Sequence, residues 1–268
     1  MYWQEQKRPY PLKIQILGFI AQQGIVSLED INRHFYPDRD NTKAIRVTLY
    51  DMGVSHLRYY SPGIKNGVWY IGKQDLYNYL GTWYEEIFYM RVREPLVHLI
   101  PHYLELNRIR TAFERDSDWD VDQWLSESLL RAMPVYVREE YCSFKIPDAI
   151  FWHKRLDGTR KKFFLEFERS FKNTKRYVEI FRSYSKREDV QDGNVIYICH
   201  TPQIRNKLIS TMKKESRSGI LDCTSDYFQF LSLEKFYQWC AEAKTKRKSF
   251  NSKPEVKPVA KVEEMQAL

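Results

Sequence analysis

Cysteine is scarce in this 268-residue chain, with Cys142, Cys199, Cys223 and Cys240 the only four. None forms a C-x-x-C pair or a zinc-type spacing, which argues against a disulfide scaffold or thiolate metal knot and fits thiols in a reducing compartment. Long hydrophobic runs are missing as well: none approaches the roughly 20 residues that cross a bilayer. The opening Met1-Tyr2-Trp3-Gln4-Glu5 lacks the basic-then-apolar pattern of a secretory signal, and no internal repeat is visible. These absences lead us to expect a soluble, cytoplasmic protein with no membrane partner.

What is present is charge and aromatic content. Lys and Arg number 43 against 35 Asp and Glu, a formal charge of +8, which favours anionic partners, nucleic acid first. Residues 12–23 carry apolar side chains at helical spacing up to Gly24. Ser27-Leu28-Glu29-Asp30 resembles a capping box opening a second helix through Phe35. Asn41-Thr42 can cap a third helix bearing Lys43 and Arg46, ending near Gly53. Extended runs 57–60 and 67–71 flank turn residues around Pro62-Gly63-Ile64-Lys65, a hairpin signal. Three helices and a hairpin are the layout of a winged helix-turn-helix. One reading sets the third helix in a DNA major groove, with Lys43, Arg46 and Lys65 meeting phosphates or bases; the other is a helical adapter for protein contacts.

Residues 83–93 read as a connector. A helix follows Pro95, covering Leu99 to Phe113, with Pro101 a point where it can kink. His98 and His102 have i, i+4 spacing, but Pro101 between them and the missing H-E-x-x-H acid argue against a zinc pair. Residues 121–131, containing Glu127, read as strand or helix. Strands are expected at 145–154 and 161–169, joined through Asp157-Gly158. Then come a helix at 172–186, a strand at 194–200, a helix from Pro202, a strand at 227–233 and a helix holding Phe236, Trp239 and Cys240. This order suggests a mixed sheet flanked by helices. Residues 243–268 read as a disordered basic tail.

The centre of interest is acidic. Ile146-Pro147-Asp148-Ala149 and Phe164-Leu165-Glu166-Phe167-Glu168-Arg169 fall in strand-like runs, where carboxylates normally cost stability. Alternation puts Glu166 and Glu168 on one face, and pairing of the two strands brings Asp148 beside them. Three crowded carboxylates repel unless a cation sits among them, and Mg²⁺ or Mn²⁺ is the economical answer. On the helix that follows, Lys172, Lys175, Arg176, Arg182, Lys186 and Arg187 fall within roughly 140° of one another. Such a face suits a phosphodiester backbone approaching a metal; its bland alternative is a solvated amphipathic helix.

Pro147-Asp148, a spacer, then Glu166-Phe167-Glu168 resembles the PD-(D/E)xK nuclease core. The fuller string Ile-Pro-Asp-Ala…Phe-Leu-Glu-Phe-Glu-Arg-Ser…Lys behind a winged helix resembles replication-relaxation proteins, and among them MobC-type plasmid mobilisation relaxases. The segment His102-Tyr103-Leu104-Glu105-Leu106-Asn107-Arg108-Ile109-Arg110 is also like that family's linking helix. The resemblance covers roughly residues 12–235. It implies a Mg²⁺- or Mn²⁺-dependent endonuclease that nicks one strand at a plasmid transfer origin, working with an accessory mobilisation protein and a coupling protein. Its acidic trio maps onto Asp148, Glu166 and Glu168, with Glu127 a candidate further ligand. Restriction-type members carry Glu-x-Lys, whereas this chain has glutamate in third place, which leaves Lys172, Lys175 or a second ion to orient the attacking group.

The expected fold class is therefore α+β. It comprises a winged helix-turn-helix (1–82), a connector (83–93), a PD-(D/E)xK nuclease-like mixed domain (94–242) and a tail (243–268). Asp148, Glu166, Glu168, Lys172 and Lys175 are the expected catalytic residues. Lys43, Arg46, Lys65, Lys172, Lys175 and Arg176 are the expected DNA contacts. The rival reading is a non-catalytic plasmid replication or transcription regulator that binds DNA through the winged helix.

Overall fold

The computed structural model describes residues 11–59, 67–84, 87, 90–116, 119–142, 145–155, 157–190, 194–218 and 227–251. Apolar residues at helical spacing make α1 (Leu12–Gln23), and Gly24 closes it at φ 78°, a left-handed conformation that strains any side chain. The two-residue strand β1 (Val26–Ser27) leads into α2 (Leu28–Phe35). Its expected capping box is formed: the Asp30 N–H donates to Ser27 Oγ at 3.0 Å and the Ser27 N–H to Asp30 Oδ2 at 3.1 Å. Each thereby satisfies a donor that the helix start would otherwise orphan. Asn41 precedes α3 (Thr42–Asp51) without capping it through its side chain. Asp40 Oδ1 instead accepts from the Thr42 N–H at 2.9 Å and its hydroxyl at 2.7 Å. β2 (Ser55–Leu57) and β3 (Val68–Tyr70) are antiparallel, and β1 pairs with the other edge of β3. The turn 60–66, with Lys65, lies outside the described residues.

An unexpected helix, α4 (Gln74–Gly81), returns Tyr77 and Leu80 to the core of α1. The expected connector is packed rather than loose, since Tyr84, Ile87 and Met90 are buried. A 3-10 turn at Val97–Leu99 opens α5 (Ile100–Thr111). Pro101 sits in its first turn, where a missing N–H costs no helical bond, so it starts the helix instead of kinking it. A π turn, Ala112–Asp116, prolongs it. Residues 121–131 prove to be both candidates in series: β4 (Val121–Ser126), then α6 (Glu127–Ala132), with Ser126 Oγ accepting from the Leu129 N–H at 3.3 Å. A short α7 (Val135–Tyr141) follows.

β5 (Ala149–Lys154) and β6 (Arg160–Glu168) form the expected hairpin. β5 starts later than the run 145–154 suggested. Pro147 has no N–H for a ladder, and the last pair is Ala149 with Leu165. Asp148 therefore stands just off the strand end. Then come α8 (Thr174–Ser185), β7 (Val195–Cys199), α9 (Pro202–Arg217), β8 (Phe228–Ser232) and α10 (Leu233–Asn251). α10 carries the chain as helix through 243–251, where a disordered tail was expected. Its Ala and Lys residues favour helix, and Ala243 is buried. Residues 252–268 lie outside the described residues.

The second sheet runs β4-β5-β6-β7-β8, antiparallel through β6 and parallel beyond it. Side-chain alternation on β6 divides its two faces. Phe163, Leu165 and Phe167 meet Leu106 and Ile109 of α5 and Phe236 of α10. Phe164 meets the opposite layer, where Tyr177, Phe181 and Tyr184 of α8 and Leu208 of α9 pack. The result is a mixed α+β fold with helices on both faces of a mixed sheet, as the sequence suggested.

The small sheet and the large one are joined by buried polar contacts. Asn107 Nδ2 donates to the Ile25 carbonyl at 2.8 Å and Arg110 to Gln22 Oε1 at 3.3 Å, while the Ser126 hydroxyl donates to the Gln22 carbonyl. Glu114 accepts from Arg110 Nε at 2.7 Å and lies 3.2 Å from His34 Nδ1. None of the described helices is long and apolar enough to cross a membrane.

Candidate metal centre and cleft

Because β5 begins only at Ala149, the N–H of Phe167 has no partner on that strand. Asp148 Oδ2 takes it at 2.6 Å. The Asp148 carbonyl in turn accepts the N–H of Glu127, the first residue of α6, at 2.8 Å. From the other side comes α5: His102 Nε2 lies 3.4 Å from Asp148 Oδ1, its ring stacked on Phe167 at 5.5 Å between centroids. His102, Glu127 and Asp148 each offer one ligand atom, all within 4.8 Å of one another. That span fits a single cation with bonds of about 2.0–2.6 Å.

The expected trio is divided by this geometry. Asp148 belongs to the group, and so does Glu127, the residue proposed as an additional ligand. Glu166 is buried and turned to the α8 side, where its Oε1 accepts from Lys145 Nζ and the Tyr184 hydroxyl. It does not line the cleft described below. Glu168 is buried too, its Oε2 paired with Lys172 Nζ at 2.7 Å, and it reaches the cleft wall beside the group without joining it. The divergence has a simple cause: β6 alternation sends both glutamates to the α8 face, whereas Asp148, off the end of its strand, can turn toward α5.

Electrostatics follow the same division. Burial pushes Asp148 up, but the hydrogen bond and charge of His102, the charge of Lys145 and the Phe167 N–H outweigh it and hold Asp148 below the usual carboxylate range. Burial would lower His102; its hydrogen bond to Asp148 and the charges of Asp148 and Glu127 win, leaving it raised. Glu166 goes the other way, raised by burial against the pull of Lys145, with the charge of Asp148 adding to the rise. Beside Glu166 in register is Tyr197, buried, whose hydroxyl has no hydrogen-bond partner among the described residues.

The group opens into a cleft of about 580 Å³ between the first helices and the large sheet. Arg91, Arg93, Arg131, Arg169 and Lys172 line it, with Tyr77 and Tyr103 among the aromatic walls. Arg131 binds Glu127 Oε1 at 2.7 Å. The expected catalytic Lys172 is therefore at the cleft. Lys175 and Arg176 are not: they stand exposed on α8, with Arg176 3.6 Å from Glu179. Arg187, placed on that cationic face by the helical wheel, lies beyond the end of α8 and is buried, bonded to Asp189 at 2.7 Å. Lys43 and Arg46 are exposed on α3.

His102 is the residue that sequence reasoning set aside. Its signal was present: His102, Leu106, Ile109 and Phe113 share one helical stripe, and the last three bury against the sheet. A histidine on that stripe must face the sheet end. His98, one turn earlier, is exposed and takes no part. The cleft arginines carried no comparable signal, because they come from three separate segments. Comparison of the chain with protein-family models, with curated proteins and with solved structures finds no match in any of the three.

Proposed function

We propose that this protein is a divalent-metal-dependent DNA endonuclease that cuts one strand, of the relaxase type that starts plasmid mobilisation at a transfer origin. The observation that carries the reading is the His102–Glu127–Asp148 group opening into a cleft walled by arginines. Two carboxylates balance a divalent charge, and cations around them suit the phosphates on either side of a scissile bond. One imidazole nitrogen in the donor set favours Mn²⁺ over Mg²⁺, which prefers oxygen and keeps its water. When bound, such an ion polarises the phosphate and stabilises charge on the departing oxygen.

The chain's own residues divide the remaining tasks. Asp148 is anchored by the Phe167 N–H, so its second oxygen is fixed toward His102. Arg91, Arg93 and Arg169 orient the strand, and Lys172, paired with Glu168 at the cleft wall, is our candidate for the task of the missing motif lysine. With α6 and α7 interposed after β4, the order α5, β4, β5, β6, α8, β7 agrees with a PD-(D/E)xK core, and α1 to α3 followed by β2 and β3 agrees with a winged helix-turn-helix. On α3, Lys43, Arg46, Val47 and Tyr50 stand at i, i+3, i+4 and i+7, all exposed, a face suited to a DNA groove.

The test is incubation with supercoiled plasmid, with and without a candidate origin, and Mn²⁺. We expect open circles from the origin plasmid, none with Asp148→Ala or His102→Ala, and DNA binding retained by both variants. Undiminished nicking by both would end the proposal. A second reading, a non-catalytic DNA-binding regulator, draws on the closure of Glu166 by Lys145 and of Glu168 by Lys172, which neutralises both acids without an ion. Retained DNA binding with no site-specific Mn²⁺ heat in calorimetry would favour it.

A further inference from the structure

α8 and α9 pack side by side on one face of the large sheet. Their apolar residues, Tyr177, Phe181 and Tyr184 on one and Leu208 and Met212 on the other, point into the core. The charge they turn outward is almost entirely positive, among neutral Thr174, Gln203, Asn206 and Ser210. α8 shows Lys175, Arg176 and Arg182, and α9 shows Lys207, Lys213, Lys214 and Arg217, all exposed. Against them stands Glu179 on α8; the one acid of α9, Glu215, is buried.

Lys213 and Arg217 are i, i+4, and Lys214 and Arg217 are i, i+3, spacings that set like charges side by side. Their place at the C-terminal end of α9 lets the helix dipole tolerate that crowding. Ser210, Lys213, Lys214, Arg217 and Ser218 also edge a shallow depression of about 510 Å³; both hydroxyls donate to carbonyls of α9, so its three cations are what it offers phosphate oxygens. The band connects to the cleft. Lys207 Nζ sits 3.9 Å above the Phe171 ring, next in sequence to Lys172 of the cleft wall.

We propose that the outer faces of α8 and α9 form a second DNA-contact surface, which grips the phosphate backbone of duplex flanking the segment held in the cleft. The proposal rests on the nucleic-acid reading above. From Lys207 to Arg217 the helix rises about 15 Å, the axial length of roughly four phosphates on one strand. A backbone, repeating at fixed intervals, matches a row of cations of that length. The surface reads no bases, so its contribution is the same for every sequence.

The experiment measures binding of labelled duplex DNA across a salt series for the full chain and for Lys213→Gln/Lys214→Gln, on two unrelated sequences, with folding checked by circular dichroism and thermal melting. Removing two phosphate contacts lowers the slope of log K against log salt by about 1.8 and weakens binding about thirtyfold near 0.15 M salt. The loss is expected to be equal on both sequences and to vanish near 1 M salt. Lys43→Ala/Arg46→Ala on α3 serves as the contrast and changes the preference between sequences. An unchanged slope in the α9 variant while the wild type binds DNA overturns this surface and leaves the nuclease reading standing. A loss confined to one sequence overturns it as well. Wild-type protein that binds neither duplex sinks the nucleic-acid reading and this surface together. Binding to anionic vesicles with none to DNA would do the same.

Discussion

His102 is held from three directions: Asp148 at 3.4 Å, the Phe167 ring beneath it, and the α5 backbone whose first turn positions it. An imidazole locked this way has lost its rotamer freedom before any ion arrives, so a bound cation gains its nitrogen without further ordering cost. We therefore predict that His102→Ala weakens Mn²⁺ binding by more than the ~10–100-fold that follows loss of an outer-shell partner. Glu166→Gln, altering a carboxylate outside the group, is predicted to leave Mn²⁺ affinity nearly unchanged. Calorimetric titration of both variants checks the membership of the site; equal losses would show that the ion sits between the two positions.

Among elements, β6 carries the greatest burden, because it sets two carboxylates inside the α8 layer. Glu166 there is stabilised by Lys145, from the segment before Asp148, and by the Tyr184 hydroxyl of α8. A buried charge stripped of its partner costs about 3–5 kcal/mol, while replacement of both partners by apolar groups of similar size is often neutral. Glu166→Leu and Lys145→Met are each predicted to lower unfolding free energy by about that much, and the double variant by much less. Urea denaturation of the three variants measures it; additive losses would mean that Lys145 and Glu166 are not coupled.

At the scale of the molecule, the joint between the small and large sheets centres on Arg110. Its guanidinium bonds Glu114 at 2.7 Å and lies 5.2 Å above Phe19 of α1 and 5.8 Å from the centre of the Trp124 ring of β4. Burial pushes Glu114 up, but Arg110 and the hydrogen bond with His34 overcome it and hold the carboxyl down at about 2, against an ordinary 4.5. A folded value below the unfolded one means the stabilisation is complete above pH 4.5 and is lost as pH falls toward 2. Arg110→Met is thus predicted to cost about 3–5 kcal/mol at pH 7. The gap to wild type should narrow as pH drops through that window. Denaturation at pH 7 and pH 3 checks it, and a gap independent of pH would remove Glu114 from the account. The cleft lies along the same joint, so strand binding and this stability are expected to weaken together in the variant.

Local pattern by itself determined many of the elements, though not α4 or α7. Helical spacing up to Gly24, the Ser27–Asp30 box, the Asp157-Gly158 turn and the alternation of β6 are short-range properties, and each holds in the fold. The same alternation correctly paired Glu166 with Glu168 on one face. Tertiary structure alone decided which acids meet a common partner. Pro147 ends the ladder and frees Asp148 to turn, α6 brings Glu127 to its carbonyl, and α5 brings His102 across the sheet end. Those approaches join segments far apart in the chain, and their distances depend on how helices pack against a sheet. Periodicity fixes the face of an element that a side chain occupies, but not what another element sets against it.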